Sequence, residues 1–264
     1  MNRIDRMFQQ TYGRAALIAF TTAGFPDKET SLRISLALLE HCDALELGIP
    51  FSDPVLDGPV IQQSSCLALQ AGFRLRDAFD LAGRLREETE KPLLIMTYYN
   101  PVHRLGHAAF ADDAAGAGVD GVLIPDLPPE EMGDWKAVAG ESGLHTVLFA
   151  SMTTPCQRLR LLGELSGGFL YCFAVKGTTG LRESLSRELA PFLKKVRSCC
   201  SLSLAVGLGV SNPEQCRQVG SMAEGVVVGS ALVKASLDAI AAGEDPVSRS
   251  EALAADLRRS LDFP

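Results

Sequence analysis

DALELGIPFSDPVLDGPVIQ, Asp43 to Gln62, decides how the chain is read. Its first six residues, Asp43 to Gly48, form an apolar run without strict polar alternation. Strands covered on both faces, as in parallel sheets, have that character. The run carries a carboxylate, Glu46, near its end. A loop punctuated by proline and glycine then carries two more, Asp53 and Asp57. Alternate strand residues share a face, so Ala44, Glu46 and Gly48 point the same way, and the small neighbours leave room beside the carboxylate. Burying an unpaired polar group costs roughly 2–7 kcal/mol on apolar-transfer references. An acid in this place is therefore either satisfied by backbone or an arginine, or used for general acid–base chemistry. Asp53 and Asp57, taken singly, also suit turn caps, since SDP and DGP are good turn sequences.

Similar runs recur on either side: Ala15 to Phe20, Pro92 to Tyr98, Asp120 to Pro125, His145 to Ala150, Gly168 to Phe173, Leu202 to Gly207 and Glu224 to Gly229. The intervening segments Lys28 to His41, Leu75 to Glu88, Ala108 to Ala117, Glu130 to Ser142, Gln157 to Leu165 and Glu183 to Arg197 read as helices. In the first of these Leu32, Leu36 and Leu39 form one stripe, with Asp27 as N-cap. Strand starts recur roughly every 22–33 residues, with one gap of about 49, and eight strand–helix units in about 250 residues is the arithmetic of a (β/α)8 TIM barrel. A doubly wound open sheet is the other α/β architecture considered. No linker or composition shift divides the chain. Residues 1–264 are read as one TIM-barrel domain with an extra N-terminal helix (Asn2 to Gln10) and a final helix (Ser248 to Leu261).

Bulk properties narrow the function. The chain has 264 residues, 25 basic and 32 acidic, for a formal charge of −7. No basic run stands out, which argues against nucleic-acid and anionic-membrane binding. The N-terminus lacks an apolar signal region, and no run approaches a membrane span, so a cytoplasmic protein is expected. The seven cysteines (Cys42, Cys66, Cys156, Cys172, Cys199, Cys200, Cys216) include no CxxC and read as buried or idle thiols. The four histidines are dispersed, and no metal site is expected. His103 and His107, four apart, read as surface residues near a helix start, and Trp135 as packing.

In a barrel the active site lies at the C-terminal strand ends. The residues there are Phe20 after strand one, Glu46 and its loop after strand two, and Tyr98, Tyr99 and Asn100 after strand three. Pro125 and Asp126 follow strand four. Tyr171 and KGTTG (Lys176 to Gly180) follow strand six, GLGVS (Gly207 to Ser211) strand seven, and Gly229 and Ser230 strand eight. Glycines let a backbone approach a ligand, and helix N-termini present free N–H groups. Three glycine turns at adjacent strand ends therefore point to a phosphate cradle.

With these residues in view, ELGIPFSDPVLDGPVIQ resembles the signature of the tryptophan synthase alpha chain family, ELG-[IV]-PFSDP-x-ADGP-x-IQ. MTYYNP, DGVLIPDLPPEE, the GTTG turn, AVGLGVSNPEQ and GVVVGSALVK resemble the later blocks of that family, in the same order. The resemblance covers essentially the whole chain. It implies a (β/α)8 barrel that cleaves indole-3-glycerol phosphate to indole and glyceraldehyde 3-phosphate, a retro-aldol step in tryptophan synthesis. It implies that Glu46 is the general acid–base and that Asp57 bonds the indole N–H and stabilises charge on the ring. Phe20, Tyr98 and Tyr171 would shape the indole pocket and position the glutamate. Gly180, Gly209, Gly229 and Ser230 would hold the phosphate, and Thr179 would meet the catalytic aspartate on closure. It also implies a pyridoxal-phosphate beta chain as partner, in an alpha2beta2 heterotetramer, with Pro50, Phe51 and Asp53 in the contact loop and no cofactor in this chain.

The sequence departs from the family form in three places. Ala174 to Gly180 read AVKGTTG where SRTGVTG is usual, Leu56 replaces an alanine, and Phe25 stands where aspartate is common. The altered sixth loop motivates one alternative, a catalytically weak regulatory subunit that mainly activates a beta chain. The phosphate cradle alone would also suit another phosphosugar epimerase or isomerase.

Overall fold

The computed structural model describes residues 1–173, 188–207 and 209–262. Eight parallel strands close into a barrel in sequence order: β1 (Ala16–Thr22), β2 (Ala44–Gly48), β3 (Leu93–Met96), β4 (Gly121–Leu123), β5 (His145–Ala150), β6 (Phe169–Phe173), β7 (Ser203–Gly207) and β8 (Gly225–Val228), with β8 pairing back onto β1. The helices in order are α1 (Arg3–Gln10), α2 (Lys28–His41), α3 (Pro59–Gln70), α4 (Leu75–Glu88), α5 (Tyr99–Leu105), α6 (His107–Gly116), α7 (Gly133–Glu141), α8 (Cys156–Leu165), α9 (Leu189–Arg197), α10 (Pro213–Gly220), α11 (Ser230–Ala242) and α12 (Pro246–Asp262). The TIM barrel expected from eight apolar runs is thus the fold, and the open sheet is set aside by the β8–β1 closure.

The strands are buried along both faces, which explains their lack of alternation. One set of residues, including Ala16, Ile18, Ala44, Leu94, Val147 and Val227, fills the barrel interior. The other set packs outward against the helices. Helix α1 closes the N-terminal end of the barrel. Asn2 caps it through the Ile4 N–H at 2.9 Å and also donates to the Asp120 carbonyl at 2.8 Å. Ile4 and Met7 are buried in the barrel floor, a gain of about 1.5–3 kcal/mol each. The Phe8 ring lies 5.6 Å from that of Phe169. The floor is pinned by Asp120, whose carboxylate accepts from Arg86 at 2.8 Å, Arg3 at 3.1 Å and the Leu93 N–H at 2.9 Å. With the bottom sealed in this way, the opposite end is left for chemistry.

Several local expectations need correction. The long interval after β2 holds, besides the expected helix α4, a helix absent from the expected elements, α3. Its buried face is Ile61, Ser64, Ser65 and Ala68, while Leu67 and Leu69 are exposed, so no apolar stripe marks it. Helices α5 and α10 are short and were also not anticipated. On α2, Asp27 does cap, accepting from the Thr30 N–H at 2.9 Å. The buried face there is Ser31, Ile34, Ser35, Leu38 and Leu39, with Leu32 and Leu36 only flanking it. Small serines turn inward because the helix lies close to the barrel, and the Ser31 hydroxyl accepts from the Gly24 N–H at 2.9 Å. His107 is half-buried rather than superficial. It bonds the Tyr99 hydroxyl at 3.0 Å and meets the fully buried Trp135 ring edge-on.

Candidate active site

Strand register brings the site together. Phe20 on β1 pairs with Glu46 on β2, and Glu46 with Leu94 on β3. Ala44 lies in the interior cluster, so Glu46, two residues on, shares its inward direction and stands one step nearer the C-terminal mouth. Its side chain is 1% exposed, and Oε2 has no hydrogen-bond partner among the described residues. Burial, followed by the nearby Asp57 charge, pushes its carboxyl up to about 8. The structural alternative for Glu46, an acid satisfied by an arginine, finds no support: no salt bridge to it occurs among the described residues.

Asp57 approaches from the loop between β2 and α3. That loop is built like a bracket. The Ile49 N–H donates to the Met96 carbonyl at 2.8 Å, Pro50 is buried, and the Phe51 ring stacks on Tyr98 with centroids 5.2 Å apart. The Leu56 N–H donates to the Tyr98 hydroxyl at 3.0 Å, and the Asp57 N–H to the Pro54 carbonyl at 3.0 Å. On the helix side, Gln62 Nε2 donates to the Asp57 carbonyl at 2.9 Å. Burial raises the Asp57 carboxyl to about 6, partly offset by the Tyr98 hydroxyl. Tyr98 thus holds both the backbone and the carboxylate of this segment. Asp53 and the side chains of Val55 and Leu56 face solvent.

Aromatic rings line the space between the acids. Phe20 lies against Gly48 and Gly229: a Cβ on Gly48 would fall 2.3 Å from Phe20 Cζ, and one on Gly229 3.2 Å from Phe20 Cβ. Tyr171 crosses to β7, where a Cβ on Gly207 would meet its hydroxyl at 2.1 Å. Burial, and after it the charges of Glu46 and Asp57, raise the Tyr171 phenol, so it stays a neutral hydroxyl. Phe20, Ile49, Ile61 and Met96 give the cavity beside Asp57 an apolar wall, and Ser65, Thr97 and Tyr98 a polar one. Of these, Ile49, Ile61, Ser65, Met96 and Thr97 were missed from the sequence. The strand-end rule that found Tyr98 could have found Met96 and Thr97; nothing local marks Ile61 or Ser65.

Gly209 adopts φ 94°, in the left-handed region that favours glycine. Gly229 is the N-cap of α11 and supplies no side-chain cap, and Ser230 is the first helical residue. The first N–H groups of a helix have no intrahelical partners, so this helix start presents donors and a partial positive charge at the mouth. Thr179 and Gly180 lie outside the described residues. Among the described residues no cluster of three or more His, Cys, Asp or Glu side chains could hold a metal, and no helix is long and apolar enough to cross a membrane.

A closed parallel barrel whose mouth joins two buried, unequal carboxylates, a neutral phenol and an uncapped helix start defines a (β/α)8-barrel enzyme of acid–base type. Comparison with known proteins narrows this class. The family model described as tryptophan synthase alpha chain matches residues 8–262, and the chain belongs to that family. It is 47% identical over 237 residues to the tryptophan synthase alpha chain of Geotalea uraniireducens, covering 89% of each. It is 41% identical over 251 residues to that of Thermococcus kodakarensis, covering 95% of this chain and 96% of the relative. Among solved structures, the tryptophan synthase subunit alpha of Legionella pneumophila superposes with TM-score 0.93 at 34% identity over the whole of both chains. A Mycobacterium tuberculosis tryptophan synthase chain does so with TM-score 0.91 at 34% identity, covering 100% of this chain and 99% of that one.

Proposed function

We propose that the protein is the alpha subunit of tryptophan synthase, a lyase that cleaves indole-3-glycerol phosphate to indole and glyceraldehyde 3-phosphate. The observation that carries this reading is Glu46: buried, with one oxygen unpartnered among the described residues, and protonated at neutral pH because its carboxyl sits at about 8. Such an acid can give a proton to indole C3. Protonation leaves positive charge on the ring, centred on the indole nitrogen. Asp57, at about 6, is an anion at neutral pH and stabilises that charge. The carbon–carbon bond then breaks and its electron pair returns to the ring as indole. The Glu46 carboxylate takes the proton of the glycerol hydroxyl, whose carbon becomes the aldehyde. Glu46 begins and ends the cycle protonated, so atoms and protons balance without a further reactant.

Phe20 and Tyr171 bound the space for the ring, and the α11 start with Gly209 suits the phosphate. The expected partner is a tryptophan synthase beta chain in an alpha2beta2 heterotetramer, where pyridoxal phosphate belongs to the beta chain and supplies the chemistry that joins indole to serine. The exposed Asp53 and Leu56 loop, backed by Phe51, suits that contact.

Glu46→Gln tests the lyase assignment. It should lower kcat for indole-3-glycerol phosphate at least about 10²-fold with the fold retained; near-normal cleavage by a folded variant refutes the role of Glu46. Co-elution with a beta chain at the mass of a heterotetramer checks the assembly, and separate elution at working concentrations would exclude it.

A further inference from the structure

The proposed lyase chemistry requires Asp57 to keep a fixed place relative to Glu46, yet Asp57 stands on a loop. What sets the position of that loop along the barrel axis is a buried contact that the proposed mechanism does not use. Thr22, the last residue of β1, and Ser64, on the inner face of α3, are 1% and 0% exposed, and their hydroxyl oxygens lie 2.6 Å apart. Ser64 Oγ also lies 2.9 Å from the Ile61 carbonyl, which can only accept. The single Ser64 proton goes to Ile61, so Thr22 donates to Ser64. The order is Thr22 hydroxyl, Ser64 hydroxyl, Ile61 carbonyl, and it ends in the first turn of α3.

That turn carries Asp57. Gly58 is the N-cap of α3, its carbonyl accepts from the Gln62 N–H at 3.0 Å, and the Gln62 side chain holds the Asp57 carbonyl. The other end of the relay is equally well placed. Thr22 pairs with Gly48 in the register that pairs Phe20 with Glu46. Helix α3 packs on β1 and on α11, the helix that starts at Ser230. The rest of the inner face of α3 is Ile61, Ser65 and Ala68, small or apolar groups that resist sliding poorly. A hydrogen bond is directional where such packing is not.

We propose that the Thr22–Ser64 hydroxyl pair is a positioning device that fixes the register of α3 on β1 and thereby the place of Asp57 opposite Glu46. Neither residue touches the reacting atoms; both act through Asp57. A misplacement of about 1 Å can cost on the order of 10²-fold in rate.

The test is Thr22→Val, which keeps the shape and removes the donor, measured with Thr22→Ser as rescue and combined with Asp57→Asn. The proposal rests on the lyase reading, so the wild-type chain is assayed first; if it does not cleave indole-3-glycerol phosphate, that reading fails and the proposal falls with it. With an active wild type, Thr22→Val should lower kcat about tenfold or more with little change in KM, and Thr22→Ser should restore most of it. In the Asp57→Asn background, read in single turnover at high enzyme concentration, Thr22→Val should cost less than about twofold, because the group it positions is gone. Circular dichroism and thermal unfolding confirm that each variant is folded at the assay temperature. Unchanged kcat in Thr22→Val overturns the proposal. So does a penalty that persists undiminished beside Asp57→Asn, which is the signature of general structural damage.

Discussion

Glu46→Gln should make the protein more stable while it lowers kcat at least about 10²-fold, and the gain should depend on pH in a defined way. A free glutamate ionises near 4.5, whereas Glu46 in the folded chain does so at about 8, chiefly because burial penalises the charged form and secondly because Asp57 is near. Between those values the unfolded chain has lost the proton that the folded chain still holds. The unfolded state binds fewer protons, so stability falls as pH rises through the window and the loss is complete above about 8. At about 1.36 kcal/mol per pH unit, the cost is about 3 kcal/mol at pH 7 and about 5 kcal/mol above pH 8. Glutamine mimics the protonated carboxyl in shape and cannot ionise, so the variant escapes the cost. Equilibrium urea unfolding of both proteins from pH 4 to pH 9 measures it. The stability difference should be flat below about 4.5, grow in favour of the variant to about 8, and level off. A difference that stays constant across the window, or that favours wild type at pH 8, would refute the account of Glu46 as an acid kept protonated by burial.

Three further outcomes are expected. Since the active form has Asp57 ionised and Glu46 protonated, kcat/KM should peak between about 6 and 8 and fall on both sides, as limbs of the coupled pair; Asp57→Asn should remove the acid limb from the residual activity. Gly48→Ala sets a methyl 2.3 Å from Phe20 Cζ, and steady-state kinetics should show kcat/KM lowered about tenfold or more as the ring is displaced. Asp120→Ala leaves the Leu93 N–H without its acceptor and takes the carboxylate from Arg86, which keeps the Gly118, Thr89 and Lys91 carbonyls; it should cost about 1–3 kcal/mol in urea unfolding, with the kcat of the folded fraction unchanged.

Much of this was legible in the chain itself, for physical reasons. Parallel strands are apolar on both faces, so β5 could be read as His145–Ala150 with the bounds it has, and the other strands within a few residues. Glu46 stood out because an acid inside such a run is costly. Asp27 was legible because an N-cap is a local interaction. What escaped was built on small or polar residues. Helix α3 buries two serines and an alanine, so its periodicity is faint, and the Thr22–Ser64 contact joins residues whose pairing no local pattern encodes. His107 looked superficial because its partners, Tyr99 and Trp135, come from other turns of the chain.

Taken alone, the order of apolar runs and turns determined a barrel of eight parallel units and placed Phe20, Glu46, Tyr98, Tyr171 and Gly229 at its strand ends, because strand parity and the C-terminal mouth follow from chain direction. Only the folded molecule decided what those residues are chemically. Closure of β8 onto β1, the plug of α1 and the fold-back of the loop onto Tyr98 remove water from Glu46 and Asp57 and set them in each other's field. A proton affinity is a property of surroundings, and those surroundings are assembled from segments distant in sequence.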